Sequence, residues 1–151
     1  MVSESRQSFG KRQEFAAIAE MLKLGLDVYM TLVDDRGIDC IVREDANTYY
    51  DVQIKARGRN VKYPGYFTLY VPEPRPNYFF VLYSEEADKV WVIPSERITG
   101  SDDKDPLGKL SKGNWYVDAW YPYVKEKDKE YYAQFEQYEN AWHYLGAKKD
   151  L

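Results

Sequence analysis

The first periodic stretch of the chain places Phe15, Ile18 and Leu22 at the spacing of one helix face. Apolar residues at this interval bury one side of an α-helix against a core. Gly25 follows, and glycine is common just after a helix C-terminus because it adopts positive φ without steric cost. The pattern therefore predicts a helix from about residue 8 to about residue 24.

Beyond this helix the pattern changes to short apolar runs separated by turn residues, which is typical of β-strands. Strands are predicted at residues 26–33, 38–43, about 48–57, 66–71, 78–84 and 89–94, and a short helical turn at 94–98. The last two runs are apolar throughout, as expected of buried strands paired in a hairpin.

The C-terminal third divides into an irregular part and a periodic part. Residues 100–127 are polar with scattered aromatic residues and predict no regular element. The closing segment predicts a helix with an apolar stripe formed by Tyr131, Phe135, Tyr138, Trp142 and Leu145. Without an internal repeat or a linker, the order of helix, strands and helix indicates one α/β (α+β) domain over residues 1–151.

Composition and charge narrow the class of protein. A single cysteine excludes a disulfide framework and fits a reducing compartment, so we expect a cytoplasmic protein. There is no run of 18 apolar residues and no apolar signal segment, so we expect neither membrane spanning nor secretion. The net charge of −4 argues against a general nucleic-acid coat but allows an enzyme with a local basic patch.

Polar residues occupy unexpected positions in the second and third predicted strands. Asp39 opens the second strand, and Gln53 and Lys55 alternate with apolar residues in the third. If Arg43 pairs with Tyr49, Asp39 lies opposite Gln53 and all three polar residues share one sheet face. A hairpin loop one residue shorter would separate them. Two interpretations remain open, an edge strand with one solvated face and a functional site.

Glu14 adds a carboxylate to this group from the first helix. It lies one turn before Ile18, on the side of the helix that should meet the sheet. A buried carboxylate is costly unless it is paired or binds a metal. A plain alternative is a negative charge favoured near the start of a helix. Together with Asp39, Gln53 and Lys55 it supplies two carboxylates, an amide oxygen and a cation, and such oxygen atoms are the ligands that Mg²⁺ prefers.

The stretches "GKRQEFAAIAEML", "RGIDCIV" and "YYDVQIKAR" carry these residues in the order helix, strand, strand. They resemble the PD-(D/E)XK nuclease superfamily, which has the restriction-endonuclease-like fold. More narrowly, they are similar to its small stand-alone branch of archaeal Holliday-junction resolvases and uncharacterised bacterial PD-(D/E)XK endonuclease domains. The resemblance covers roughly residues 8–57 and implies a central mixed β-sheet flanked by N-terminal and C-terminal helices.

The resemblance also implies a role for each site residue. Asp39 would be the central metal ligand, with the side-chain oxygen of Gln53 and the backbone carbonyl of Ile54 as further ligands. Glu14 would hold a water on the ion or a second ion, and Lys55 would position and activate the attacking water. The implied cofactor is Mg²⁺ or Mn²⁺. Gln53 stands where the commoner pattern has Glu or Asp, which removes one negative charge from the metal site.

The implied substrate is DNA, and a basic run follows the third strand. Arg57, Arg59 and Lys62, with Arg36 beside the site, are expected to contact phosphates without reading sequence. The alternative for this run is a solubilising loop. Small enzymes of this fold often cut two strands as homodimers, so a homodimer is expected.

Three functions follow from these observations. The first is a metal-dependent endonuclease acting on structured, branched or foreign DNA. The second is a catalytically inactive nuclease fold that binds DNA or a protein partner. The third is an unrelated α+β interaction module with a tyrosine-rich surface. His143 is the only histidine and is expected to be structural, and Cys40 is expected to be buried.

Overall fold

The computed structural model describes residues 5–33 and 37–148. Its helices are α1 (Arg6–Lys23), α2 (Ser95–Thr99) and α3 (Lys129–Ala133). Its strands are β1 (Asp27–Met30), β2 (Cys40–Asp45), β3 (Thr48–Arg57), β4 (Tyr66–Leu69), β5 (Tyr78–Ser84), β6 (Lys89–Pro94), β7 (Lys109–Ser111) and β8 (Asn114–Asp118). Short 3₁₀ turns lie at Glu126–Asp128, Glu136–Tyr138 and Trp142–Leu145.

Helix α1 begins and ends as the sequence predicted. The side chain of Ser5 caps its first turn by accepting a hydrogen bond of 3.1 Å from the Ser8 N–H. Gly25 follows the helix at φ +81°, the left-handed conformation expected at this position. Ile18 and Met21 are buried on the helix face that meets the sheet.

The central sheet has five strands in the order β1-β2-β3-β5-β6. β3 pairs antiparallel with β2 and parallel with β5, so the sheet is mixed, as expected of the fold class. β3 therefore lies inside the sheet, and its Asp51 and Gln53 are only 7% and 3% exposed. The alternative of an edge strand with a solvated face is wrong.

A second sheet contains three antiparallel strands in the order β4-β8-β7. The sequence did not predict β7 and β8, because both fall in the polar segment 100–127. They form a short hairpin around Lys112 and Gly113, which adopt positive φ of 50° and 82°. The buried residues of this sheet come mainly from β4 and from Val117 of β8.

Two hydrophobic cores lie on opposite faces of the central sheet. The first packs β5 and β6 against the second sheet, through residues that include Phe67, Leu69, Phe80, Leu82, Trp91 and Val117. The second packs the other face against α1 and the C-terminal segment, through residues that include Ile18, Met21, Cys40, Val52, Ile54 and Trp142. β3 contributes Val52 and Ile54 to the second core, and the side chains that alternate with them lie on the opposite face of the sheet.

The C-terminal segment is three short helical turns, and the prediction of one continuous helix is wrong. α3 ends at Ala133, and Asn140 adopts φ +51°, which no helix accommodates. The Asn140 N–H instead donates to the Val90 carbonyl of β6. Phe135, Tyr138, Trp142 and Leu145 are nevertheless buried, so the apolar positions pack as the sequence indicated.

None of the helices in the described part of the chain is long and apolar enough to cross a membrane.

Candidate functional site

The β2–β3 hairpin has the register on which the site depends. Arg43 lies opposite Tyr49, and Cys40 lies opposite Val52. The strands run further into the loop than predicted, so that only residues 46 and 47 connect them. A register shift between Arg43 and Asp45 absorbs the remaining residue as a bulge.

Asp39 lies just before β2 and binds the backbone of β3. Its Oδ2 accepts a hydrogen bond of 2.7 Å from the Ile54 N–H, and its own N–H donates to the Val52 carbonyl at 2.8 Å. The residue is 6% exposed. Because the carboxylate accepts a backbone hydrogen bond, part of the cost of its burial is offset.

Gln53 holds the chain segment in front of Asp39. Its Nε2 donates to the Gly37 carbonyl at 2.6 Å and to the Tyr78 hydroxyl at 3.2 Å. The Tyr78 hydroxyl in turn donates to the same Gly37 carbonyl at 3.0 Å. Gly37 has φ +71°, and a Cβ at this position would overlap the Gln53 amide. Glycine is therefore required at the turn that precedes Asp39.

The orientation of the Gln53 amide follows from these contacts. The Gly37 carbonyl can only accept, so Nε2 must face it and Oε1 must point away. Gln53 Oε1 is one of two buried side-chain polar atoms in the described residues that have no hydrogen-bond partner, the other being Trp91 Nε1. A buried acceptor left unpaired costs about 1–3 kcal/mol, so a cation at Oε1 would relieve a real penalty.

Glu14 approaches from the helix side of the sheet. Its side chain is 14% exposed and forms an ion pair of 3.3 Å with Lys11. Burial, together with the negative charges of Asp39 and Glu14, raises the pKa of the Cys40 thiol to about 12. Both carboxylates therefore lie near Cys40, which is fully buried as predicted. A thiol held in this neutral state is not a nucleophile.

Lys55 and Ile54 complete the predicted set on β3. Ile54 is buried with the helix-side core, whereas Gln53 lies opposite Phe80 of the other core. Lys55 shares the face of Gln53 by strand alternation and is exposed. Asp39 thus binds the backbone of β3 at Ile54. The Gln53 amide lies on one face of the sheet, and Glu14 lies on the helix side.

The oxygen atoms of this set are of the kind that a hard divalent cation binds. No three His, Cys, Asp or Glu side chains within residues 5–33 and 37–148 are grouped so that they could hold a metal ion. The set has two carboxylates and one amide oxygen, and Mg²⁺ commonly takes only one or two carboxylates and retains waters. The unpartnered Oε1 of Gln53 supplies the kind of oxygen that such an ion binds.

Of the residues predicted to contact DNA, Arg57 ends β3, and Arg59 and Lys62 lie in the loop that follows it. Arg57 donates from Nε and Nη2 to the Tyr63 carbonyl, Arg59 forms an ion pair of 3.0 Å with Glu85, and the Lys62 ammonium lies 5.5 Å from the Tyr63 ring centroid. These contacts shape the loop and leave the charges at the surface. Arg36 lies outside the described residues.

Sequence reasoning missed the residues that support the site from β5. Tyr78 contacts both Gln53 and Gly37, and the Arg75 guanidinium lies 4.6 Å from its ring centroid. Arg75 also forms an ion pair with Asp51 of β3. Nothing local in the sequence indicates these contacts, because they depend on the parallel pairing of β3 with β5. His143 is exposed and stacks on Tyr144 with ring centroids 4.5 Å apart.

Comparison with solved structures identifies the fold. The structure is similar to that of the bacterial homing endonuclease I-Ssp6803I, with a TM-score of 0.60, 19% sequence identity and coverage of 98% of this chain and 100% of that chain. It also matches Hjc of Archaeoglobus fulgidus, a Holliday junction resolvase from an archaeal hyperthermophile, with a TM-score of 0.49, 14% identity and coverage of 74% and 84%. No protein-family model and no curated protein matches the sequence. The chain shares its fold with the homing endonuclease, which is consistent with the PD-(D/E)XK-like nuclease fold that its motifs predicted.

Gln53→Glu is expected to destabilise the protein when no metal is added, although glutamate is commoner in this motif. The new carboxylate cannot donate to the Gly37 carbonyl, now 2.6 Å from Nε2, and the lost bond costs about 1–3 kcal/mol. Burial beside a carbonyl should raise the pKa of this carboxyl. The loss of stability in the variant should therefore grow as pH rises above about 4.3, the ordinary pKa of a glutamate side chain.

Urea denaturation in EDTA at several pH values measures this effect. Gln137→Glu is the matched control, because Gln137 is exposed and its change should leave stability nearly unchanged. Equal stability of the two variants across the pH series would show that the Gln53 amide does not hold the Gly37 segment.

Proposed function

We propose that the protein is a metal-dependent endonuclease that hydrolyses phosphodiester bonds of structured, branched or foreign DNA. The observation that carries this proposal is the buried, unpartnered Oε1 of Gln53 next to the strand position where Asp39 binds the Ile54 N–H. In a nuclease fold this arrangement offers oxygen atoms to a divalent cation at the point where two strands meet.

Each residue has a definite task in this proposal. Asp39 and Gln53 Oε1 would hold Mg²⁺ or Mn²⁺, with the Ile54 carbonyl as a further ligand and Glu14 adding an oxygen from the helix side. The bound ion would polarise a phosphoryl oxygen and lower the pKa of water. Lys55, exposed and on the face of Gln53, would orient the attacking water and offset negative charge developing on the phosphate.

The contacts of Gln53 explain why glutamine occupies a position where an acidic residue is commoner in this kind of motif. The amide nitrogen stabilises the Gly37 segment while the amide oxygen remains for the ion, and a carboxylate cannot do both at neutral pH. The missing charge should make metal binding weaker, so activity should require higher ion concentrations. A homodimer acting in the cytoplasm belongs to the proposal, because small enzymes of this fold often cut the two strands of a duplex as homodimers.

A second function, DNA or protein binding without cleavage, is favoured by the uncharged Gln53 and by the lack of a three-acid cluster among the described residues. Incubation of the protein with plasmid, branched and single-stranded DNA in Mg²⁺, Mn²⁺ or EDTA decides between the two. Endonuclease function predicts cleavage that requires the ion. Binding of DNA without cleavage under any of these conditions would establish the second function.

A further inference from the structure

A cleft of about 650 Å³ lies between the first turns of α1 and the segment that follows β3. Its lining contains four arginines, Arg6, Arg12, Arg57 and Arg59, and a single acidic residue, Glu85. The chain as a whole carries a net charge of −4. Positive charge is therefore concentrated in one concave surface of an acidic protein, and such surfaces attract anions.

The contacts of these arginines hold the walls of the cleft in place. Arg57 uses Nε and Nη2 on the Tyr63 carbonyl, at 3.2 and 3.1 Å, out of the five N–H donors of a guanidinium. Arg59 Nε binds Glu85 Oε1 at 3.0 Å, and the Glu85 N–H donates to the Arg57 carbonyl at 2.9 Å. The Arg12 guanidinium lies 5.4 Å from the Phe9 ring centroid. The loop is thus fastened to the β5–β6 turn, and the contact between Arg12 and Phe9 lies within α1.

The choice of arginine points to phosphate as the anion. A guanidinium presents a planar fork that binds phosphate oxygens in pairs, which an ammonium cannot do. Every cationic residue in the lining is an arginine. The cleft is open to solvent, and most of its arginines are exposed. An open cleft suits a long polyanion that lies across it better than a small ligand that must be enclosed.

The cleft is close to the proposed catalytic residues along β3. Arg57 follows Lys55 by two residues and Gln53 by four, which corresponds to roughly 7 and 13 Å along a strand. Successive phosphates of one DNA strand advance about 3.4 Å along the helix axis. A backbone held in the cleft would therefore lie a few nucleotides from a phosphate held at Asp39 and Gln53.

We propose that this arginine cleft binds the sugar–phosphate backbone of DNA at phosphates flanking the one to be cut. This inference rests on the proposed function for the identity of its ligand. It adds Arg6 and Arg12 of α1 to the DNA-contacting residues and assigns Glu85 the role of limiting affinity. Removing that carboxylate would leave the arginines without their only acidic neighbour in the lining.

Equilibrium binding of a fluorescent duplex in EDTA tests the cleft without cleavage. Arg6→Ala and Arg12→Ala should each weaken binding by roughly three- to tenfold and lower the slope of log affinity against log salt by about 0.9. Glu85→Gln should tighten binding severalfold. Lys127→Ala, the matched control, removes one positive charge from the turn Glu126–Asp128 and should change neither quantity beyond a small uniform shift.

The pattern across variants decides the outcome. If both arginine variants match Lys127→Ala in affinity and salt slope, and Glu85→Gln does not bind more tightly, the cleft is not the DNA-binding surface. Glu85→Gln keeps the shape of the side chain, so it remains informative even if an arginine variant folds poorly. If the cleft variants change DNA affinity as expected but the protein cleaves no DNA, the proposed nuclease function is wrong and the cleft proposal stands. If the protein cleaves DNA and these variants change neither affinity nor cleavage, the nuclease function stands and the cleft proposal is wrong.

Discussion

Asp39→Asn is expected to lower DNA cleavage by more than about 100-fold, since changes in residues that merely support a metal ligand already cost 10–100-fold. The asparagine oxygen can still accept the hydrogen bond from the Ile54 N–H, now 2.7 Å long. Stability should therefore fall by only about 1 kcal/mol, the difference between a charged and a neutral acceptor. Plasmid cleavage and Mn²⁺ binding, the latter measured by calorimetric titration, should be lost together, and urea denaturation measures the change in stability.

Asp45→Asn is the matched control at the other end of β2. Asp45 is exposed, and an asparagine oxygen can still accept from the Asn47 N–H as Asp45 Oδ1 does at 2.8 Å. This variant should cleave DNA and bind the ion as the unaltered protein does. Asp39→Asn with undiminished cleavage would contradict the assignment of Asp39 as a metal ligand.

Lys55→Ala is expected to separate cleavage from metal binding. An exposed side chain is removed, so the free energy of unfolding should change by no more than about 0.5 kcal/mol. Loss of the group that orients the water and offsets charge should lower cleavage by about 100-fold or more. Mn²⁺ affinity should stay the same or rise slightly, because a nearby positive charge opposes cation binding.

Lys109→Ala is the control that separates the effect of the position of the lysine from the general effect of removing one positive charge. Lys109 is an exposed strand lysine in β7, so both variants remove the same group from the same kind of element. Only Lys55→Ala should impair cleavage under saturating DNA. Equal activity of the two variants would remove Lys55 from the proposed mechanism.

The sequence predicted the parts of the site that form through local pairing. The Arg43–Tyr49 register was one of the alternatives that the sequence left open, and it is the one that the structure has. Helix α1 was predicted from the helical spacing of its apolar residues and from Gly25 after its end. Asp39 and Gln53 were singled out because a charge and an amide interrupt strands that are otherwise apolar.

The remaining features depend on contacts between distant parts of the chain. Tyr78 reaches Gln53 only because β5 pairs parallel to β3 across a long connection, and no local pattern encodes that register. β7 and β8 are too short and too polar to show strand periodicity. The C-terminal stripe has helical spacing, yet positive φ at Asn140 interrupts the helix while the aromatic residues still pack.

The positions of Gln53 and Tyr78 also bear on the order in which the protein folds. The bond from Gln53 to Gly37 joins residues 16 apart within a hairpin, whereas the bond from Gln53 to Tyr78 spans 25 residues and requires a parallel strand. Local hairpins close faster than parallel pairings, because loop-closure entropy must be overcome before distant contacts form. We therefore expect the hairpin that carries Asp39 to form early and Tyr78 to dock late, so that slow refolding should coincide with completion of the site.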